Sequence, residues 1–362
     1  MKTNYSYHMP TRIVFGERFL DVLNTFINNR RVALITSRGF VSRGVVNDIL
    51  AVCPGIVTVV SDIKSHPEFK DLRVSYNELH KSSFDLIVAV GGGSVLDAAK
   101  FLSVHNDDKD YTFVEAIGKG KLKTSSYKTI PIISVPTTSG TGSELTPWAS
   151  LWDLDEKKKY SIHLKELFSE VSIYDPELTL TVPKKITLQT GLDTLSHSLE
   201  SIWNKNASPI TVLHAIKAAK LLLKYLPLLI NNLENINYRT CVMESCMHSA
   251  MAFSNTQTSI AHGMSYYITA NKGIEHGIAC SFTLPLLIDH VIGQYSFIDN
   301  ALIEIFGELS SRKLRGIYEA LNISTKFSDY GVSQEDLDRI KSSLINNQRA
   351  GNSLITGLEL CL

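Results

Sequence analysis

The chain has 362 residues, and its 36 basic and 36 acidic side chains cancel to a formal net charge of zero. Hydrophobic residues at 44% and charged residues at 20% are ordinary for a globular protein and exclude intrinsic disorder. Without surplus Lys and Arg there is no electrostatic footprint for nucleic acid, and the length suits two domains with cores of their own.

In chain order, residues 31–36 read as a buried strand followed by a helical stretch to about residue 52. A second strand covers 56–60, a helix 68–81, and a third strand 85–90 runs into three glycines; a fourth strand covers 129–135. Continuous Val/Ile/Leu runs alternating with helices predict a parallel sheet covered on both faces, the doubly wound α/β arrangement that binds dinucleotides. Beyond Pro183 strand-like runs stop, and helical periodicity spans 188–203, 211–226, 238–254 and 279–292. Pro176 and Pro183 punctuate the change. The expected organisation is an α/β N-terminal dinucleotide-binding domain with a parallel sheet over 1–180 and an all-α C-terminal metal and substrate domain over 181–362. A cleft between them would hold the small-molecule site. The most apolar stretch, 221–230, is broken by Lys224 and Pro227 and is too short for a membrane span. The N-terminus lacks the apolar core of a signal peptide, so a cytoplasmic location is expected. Cys53, Cys241, Cys246, Cys280 and Cys361 form no C-x-x-C, and each reads as a buried apolar residue.

GGGS at 91–94 sits between a strand and a helix, where glycines admit a phosphate to backbone N–H groups and the helix N-terminus favours negative charge. A second loop, PTTSGTGSE at 136–144, also follows a strand and is almost wholly hydroxyl and glycine, a composition rich in donors for pyrophosphate or ribose. The first strand ends in Ser37 and Arg38 with no acid to bond the ribose hydroxyls, which favours NADP(H) over NAD(H), Arg38 pairing the 2′-phosphate.

Asp193 and His197 stand at i and i+4, on one face of a predicted helix. His262-Gly and His276-Gly follow, fourteen residues apart, room for a helix and a turn to bring the second histidine back to the first. One carboxylate and three imidazoles suit Fe2+, Zn2+ or another divalent metal with an open position, where a carbonyl oxygen would be polarised. His8, His66, His80, His105, His163, His214, His248 and His290 read as structural.

With these motifs in this order, residues 5–300 resemble the iron-containing, or group III, alcohol dehydrogenases. The resemblance implies Asp193, His197, His262 and His276 as metal ligands, usually of Fe2+. It places Gly92, Gly93, Ser94, Asp97, Thr137, Thr138 and Thr141 along the cofactor and Lys159, in the basic run 157–159, on its ribose. Where many members carry a further histidine four residues after His262, this chain has Tyr266, which enters the expected catalytic set as a proton relay. The last sixty residues match poorly. The family's helical domains often pair, so a homodimer is expected.

The block 262–285, HGMSYYITANKGIEHGIACSFTLP, looks most like the branch that reduces phosphonoacetaldehyde to 2-hydroxyethylphosphonate. Sulfoacetaldehyde and small neutral aldehydes such as butyraldehyde are the alternatives, and Lys272 is the candidate anion clamp. Dehydroquinate-synthase-like lyases share the architecture, but the Asp193/His197 pairing fits the dehydrogenases better. A non-catalytic binding protein is hard to reconcile with four ligands and two cofactor loops.

Overall fold

The structure, a computed structural model, describes residues 4–122, 126–153, 158–345 and 347–355. The chain forms two compact units. One comprises Pro10–Thr138 and Ser143–Thr179; the other runs from Leu180 onward and takes in the N-terminal residues up to Met9 and the stretch Ser139–Gly142. The sequence reading puts those last two stretches in the α/β domain.

The α/β unit has strands β1 (Arg12–Phe15), β2 (Val32–Ile35), β3 (Ile56–Val60), β4 (Leu86–Gly91), β5 (Val104–His105), β6 (Lys128–Thr129), β7 (Ile132–Pro136), β8 (Trp148–Asp153), β9 (Lys158–His163) and β10 (Val171–Tyr174). Its helices are α1 (Phe19–Ile27), α2 (Arg38–Ser42), α3 (Val45–Val52), α4 (Phe69–Leu79), α5 (Gly93–Ser103) and α6 (Tyr111–Gly118). Six strands form one sheet in the order β1-β10-β7-β4-β2-β3, every neighbour parallel.

The two-residue period of the strands sorts the core into two layers. Ala33, Ile35, Ile87, Ala89 and Ile132 pack with Phe69, Leu72, Tyr76 and Phe101 on one face. Val32, Leu34, Leu86, Val88, Val90 and Ile133 pack with Phe19, Leu23, Val46 and Ile49 on the other. Burial on both faces is why these strands read as unbroken apolar runs, whereas edge strand β3 alternates in exposure.

The strand expected over 129–135 is broken, because Pro131 has no N–H to donate to a sheet. Lys128–Thr129 pairs with β5 instead, and the main-sheet strand begins at Ile132. The short β1 and β10 and the β8–β9 hairpin carry no long apolar run and escape the sequence reading.

The second unit is helical: α7 (Lys184–Ile202), α8 (Pro209–Asn231), α9 (Ile236–Thr256), α10 (Ile260–Lys272), α11 (His276–Ala279), α12 (Leu284–Val291), α13 (Ser296–Phe306), α14 (Arg312–Ala320) and α15 (Gln334–Ile345). α7 packs against α8, α9 and α11, around a core that includes Leu195, Leu199, Trp203, Leu222 and Met264. The helix expected over 279–292 begins only at Leu284, as α12, with Pro285 in its first turn, where its missing N–H costs nothing. No helix among the described residues is long and apolar enough to cross a membrane.

Lys100 on α5 is fully buried, and its ammonium donates to the carbonyls of Ser143, Thr146 and Trp148 at 2.5–2.9 Å and to Ser143 Oγ at 3.0 Å. Burial pushes this lysine down to about 8, with Asp97 and Glu144 pulling the other way. Lys100→Met strands three buried carbonyls and is expected to cost about 3 kcal/mol of unfolding free energy, read from the denaturant midpoint.

Candidate metal centre

Helix α7 supplies two adjoining stripes of side chains at helical spacing. Along one, Lys185 pairs with Glu275, and Ser196 Oγ donates to the Cys280 carbonyl at 2.8 Å. Between them, a Cβ on Gly277 would lie 1.9 Å from the Gln189 carbonyl, so only glycine lets α11 seat against α7. This seating brings His276 Nε2 to 3.9 Å from Asp193 Oδ1. Along the other stripe stand Asp193, His197 and Glu200. Glu200 is wholly buried and accepts from Ser259 Oγ (3.0 Å), the Ala261 N–H (2.6 Å) and the His262 N–H (3.3 Å). It thereby caps α10, at the end where a helix favours negative charge. Its other oxygen meets His262 Nδ1 at 2.5 Å, which fixes the ring with Nε2 toward Asp193.

The Nε2 atoms of His197, His262 and His276 lie 3.9, 3.4 and 3.9 Å from the same Asp193 oxygen. Donors bonded at about 2.0–2.2 Å around a tetrahedral first-row ion stand roughly 3.3–3.6 Å apart. His262 Nε2 is buried and makes no hydrogen bond, an arrangement that a shared cation would relieve. The residues therefore fit a divalent metal.

Burial alone would raise Asp193, yet the surrounding imidazoles, His197 foremost, hold it far below the usual carboxylate range. His197 lies stacked between Phe253 (4.0 Å, 7°) and His262 (4.5 Å, 20°), and burial lowers it to about 4, so it is the neutral ring a metal needs. Burial works against charge on His262, but Glu200 and Asp193 outweigh it and raise this ring.

Cys280 is missed by the sequence reading. It is buried, but its Sγ lies 3.4 Å from Asp193 Oδ1, and it offers a donor within 4.8 Å of those of Asp193, His262 and His276. Burial and the two carboxylates push its thiol well up. Glu200 is missed as well, although it stands at i+7 from Asp193 on the same helix face. Tyr266 stacks parallel to His276 with centroids 6.0 Å apart. Lys272 is no anion clamp: its ammonium pairs with Asp336 Oδ2 at 2.7 Å, and Tyr267 holds the other oxygen at 2.8 Å. Of the histidines read as structural, His214 and His248 face each other with Nδ1 atoms 2.9 Å apart, and His80 packs on Tyr76.

In the α/β unit, β2, β4 and β7 end side by side in the parallel sheet, with Thr36 Oγ1 donating to the Val90 carbonyl at 2.7 Å. β2 leads outward to β3 while β4 leads toward β7, and such a reversal is where α/β sheets bind ligands. Gly92 is the N-cap of α5; a Cβ there would come within 3.1 Å of Thr138 Oγ1, so the turn keeps a side-chain-free face beside Gly93 and Thr138. The Thr137 N–H donates to the Gly91 carbonyl at 3.0 Å. Ser94 Oγ donates to the Ser65 carbonyl. Ser37 is the N-cap of α2 and Arg38 its exposed first residue. Lys159 lies on β9 opposite Trp152, its ammonium 5.8 Å from that ring; Lys157 and Cys361 lie outside the described residues.

Of the other expected cofactor residues, Asp97 is on α5 and Thr141 on the loop after β7. Asp97 turns to the following loop, accepting from Ser143 Oγ at 2.6 Å and the Ser150 N–H at 2.9 Å. Thr141 belongs to the Ser139–Gly142 stretch of the helical unit, where the backbone approaches α7 and α9 closely. A Cβ on Gly142, at φ +58°, would meet Ala250 at 2.6 Å.

A doubly wound sheet with a helix-capping glycine turn, and a helical unit with an Asp-His-His-His centre, define a metal-dependent dehydrogenase. Comparison with known proteins agrees. The iron-containing alcohol dehydrogenase family matches residues 10–176, and the C-terminal domain of that family matches residues 187–353. The chain is 30% identical over 290 residues to a 1-propanol dehydrogenase of Citrobacter freundii, covering 79% of this chain and 72% of that one. It is 28% identical to an NAD-dependent methanol dehydrogenase of Bacillus methanolicus, covering 76% and 75%. A crystal structure of sulfoacetaldehyde reductase from Bifidobacterium kashiwanohense in complex with NAD+ superposes with a TM-score of 0.90 at 27% identity, covering 100% of this chain and 99% of that one. The chain belongs to the iron-containing alcohol dehydrogenase family and is an oxidoreductase.

Glu200→Gln removes the acceptor that orients His262 and is expected to weaken Fe2+ or Zn2+ binding about 10–100-fold, measured by competitive chelator titration. Stripping the metal from the native enzyme should lower its melting temperature, and adding it back should restore it.

Proposed function

We propose that this dehydrogenase is an NADPH-linked, metal-dependent reductase of a short anionic aldehyde. The first reading is phosphonoacetaldehyde to 2-hydroxyethylphosphonate, and the second is sulfoacetaldehyde. The observation that carries the metal-dependent part is the gathering of three imidazole Nε2 atoms at 3.4–3.9 Å from one buried carboxylate oxygen. Fe2+ or Zn2+ held by Asp193, His197, His262 and His276 supplies Lewis acidity toward a carbonyl oxygen. Of the four side chains, His276 is 29% exposed and the others no more than 7%, so the substrate side of the centre lies beside His276.

Tyr266 borders that side. Burial pushes its hydroxyl up to about 12 against the pull of Arg349, so it keeps its proton at neutral pH and acts as a donor to the developing alkoxide. The N-terminus of α5, with Gly92, Gly93 and Ser94, is the pyrophosphate seat. Ser37 and Arg38 at the end of β2 support the NADP(H) preference. Likeness of residues 262–285 to the phosphonoacetaldehyde-reducing branch supports the anionic substrate. So does the whole-length likeness to a sulfoacetaldehyde reductase.

The test is NADPH and NADH oxidation by Fe2+-loaded enzyme with phosphonoacetaldehyde, sulfoacetaldehyde and butyraldehyde in parallel. The expected result is the highest kcat/KM with an anionic aldehyde and NADPH, lost in His262→Ala. Equal or better turnover of butyraldehyde overturns the anionic substrate and leaves a general aldehyde reductase. A preference for NADH overturns the cofactor assignment.

A further inference from the structure

Cys280 stands four residues after His276, at the end of α11, and that spacing puts the two side chains on one face of the turn, as Asp193 and His197 share a face of α7. The main chain holds the pair there. The Cys280 N–H donates to the His276 carbonyl at 2.9 Å, and the Cys280 carbonyl accepts from Ser196 Oγ on α7 at 2.8 Å. Tyr318 Oη donates to the next carbonyl, that of Ser281, at 2.9 Å. Backbone contacts thus fix where the sulfur lies, and Cys280 is wholly buried.

The sulfur lies among the donors of the metal centre. Sγ is 3.4 Å from Asp193 Oδ1 and 3.5 Å from the Gly277 carbonyl. Among the described residues, the ligand atoms of Asp193, His262, His276 and Cys280 all lie within 4.8 Å of one another. An oxygen bonded at about 2.1 Å and a sulfur at about 2.3 Å on one tetrahedral ion stand roughly 3.6 Å apart, close to the separation of Oδ1 and Sγ here. A second side chain points to an ion at the same spot. His262 is 1% exposed, its Nε2 faces Asp193 Oδ1 at 3.4 Å, and that nitrogen makes no hydrogen bond. Ligand softness gives the thiol a consequence: imidazole serves Fe2+ and Zn2+ alike, whereas a thiolate adds affinity for Zn2+ and other thiophilic ions.

We propose that Cys280 is a further ligand of the centre, completing a tetrahedral set with Asp193, His262 and His276 when the ion is Zn2+, and that this thiol biases the centre toward Zn2+ over Fe2+. The assignment rests on the metal-dependent reading above. On binding, the S–H bond breaks, its proton passes to solvent, and the sulfur electron pair is shared with the ion. Fe2+ is left with the nitrogen and oxygen set that includes His197.

The experiment reads the metal directly. Wild type and Cys280→Ser are stripped and reloaded with one equivalent of Zn2+, Fe2+ or Co2+, the last a coloured stand-in for Zn2+. Zinc X-ray absorption of the wild type is expected to show a sulfur scatterer at about 2.3 Å beside the nitrogen and oxygen shell at about 2.0 Å. The Co2+ form is expected to show a sulfur-to-metal charge-transfer absorption in the near ultraviolet that Cys280→Ser lacks. In chelator competition, Cys280→Ser is expected to lose about 10-fold or more in Zn2+ affinity relative to Fe2+ affinity. The zinc spectrum is read on the wild type, so the outcome does not depend on whether the variant folds. Bound Zn2+ with nitrogen and oxygen scatterers alone overturns the ligand assignment while the metal centre stands, and an unchanged Zn2+-to-Fe2+ ratio in Cys280→Ser overturns the bias. A wild type that binds none of the three ions overturns the metal-dependent reading and this assignment together.

Discussion

The helical unit is organised around one constraint: three imidazole nitrogens stand 3.4–3.9 Å from a single buried carboxylate oxygen, about the spacing of donors that share one ion. An isolated carboxylate at this depth would cost several kcal/mol, so Asp193 is tenable only inside a ring of donors that can share a cation. The donors come from three helices, α7, α10 and α11, and α11 must approach α7 more closely than a side chain allows. Gly277 solves this for α11 at the Gln189 carbonyl. The ring is set in place by contacts between the helices themselves: Lys185 to Glu275, Ser196 to Cys280, and Glu200 to the start of α10.

Glu200 couples folding to chemistry most directly. One carboxylate closes the open N–H groups of α10 and fixes the tautomer of His262, so the local stability of the helix and the orientation of a ligand are one interaction. Cys280 adds a soft donor beside hard ones, held as a protonated thiol by burial and by the same carboxylates. Tyr266, stacked on His276, and Arg349, which donates to its hydroxyl, extend the arrangement outward.

The α/β unit solves a different problem, holding a turn rigid while leaving its face empty. The glycines after β4 have no left-handed backbone; their contribution is the missing side chain, which keeps the approach beside Thr138 clear. The rigidity comes from below, where Lys100 and Asp97 on the same helix tie down residues 143–150. The family pattern GGGSVLDAAK thus combines two functions, glycines and serine for the turn and Asp and Lys for the scaffold under it.

The sequence by itself determined the class of fold, because strands buried on both faces must read as continuous apolar runs, and β2 and β4 do. It also pointed to Asp193, His197, His262 and His276 as side chains that could meet, because spacing on one helix and paired His-Gly steps are local signals. The tertiary structure alone decided what depends on distant segments meeting. Pro131 breaks a strand that hydropathy joins; Asp97 and Lys272 face partners that no spacing rule reveals. Glu200 and Cys280 gain their partners only when α7, α10 and α11 converge. The Arg349 guanidinium, 83 residues from its tyrosine, leaves no periodic trace in a sequence, and only the fold brings the two together.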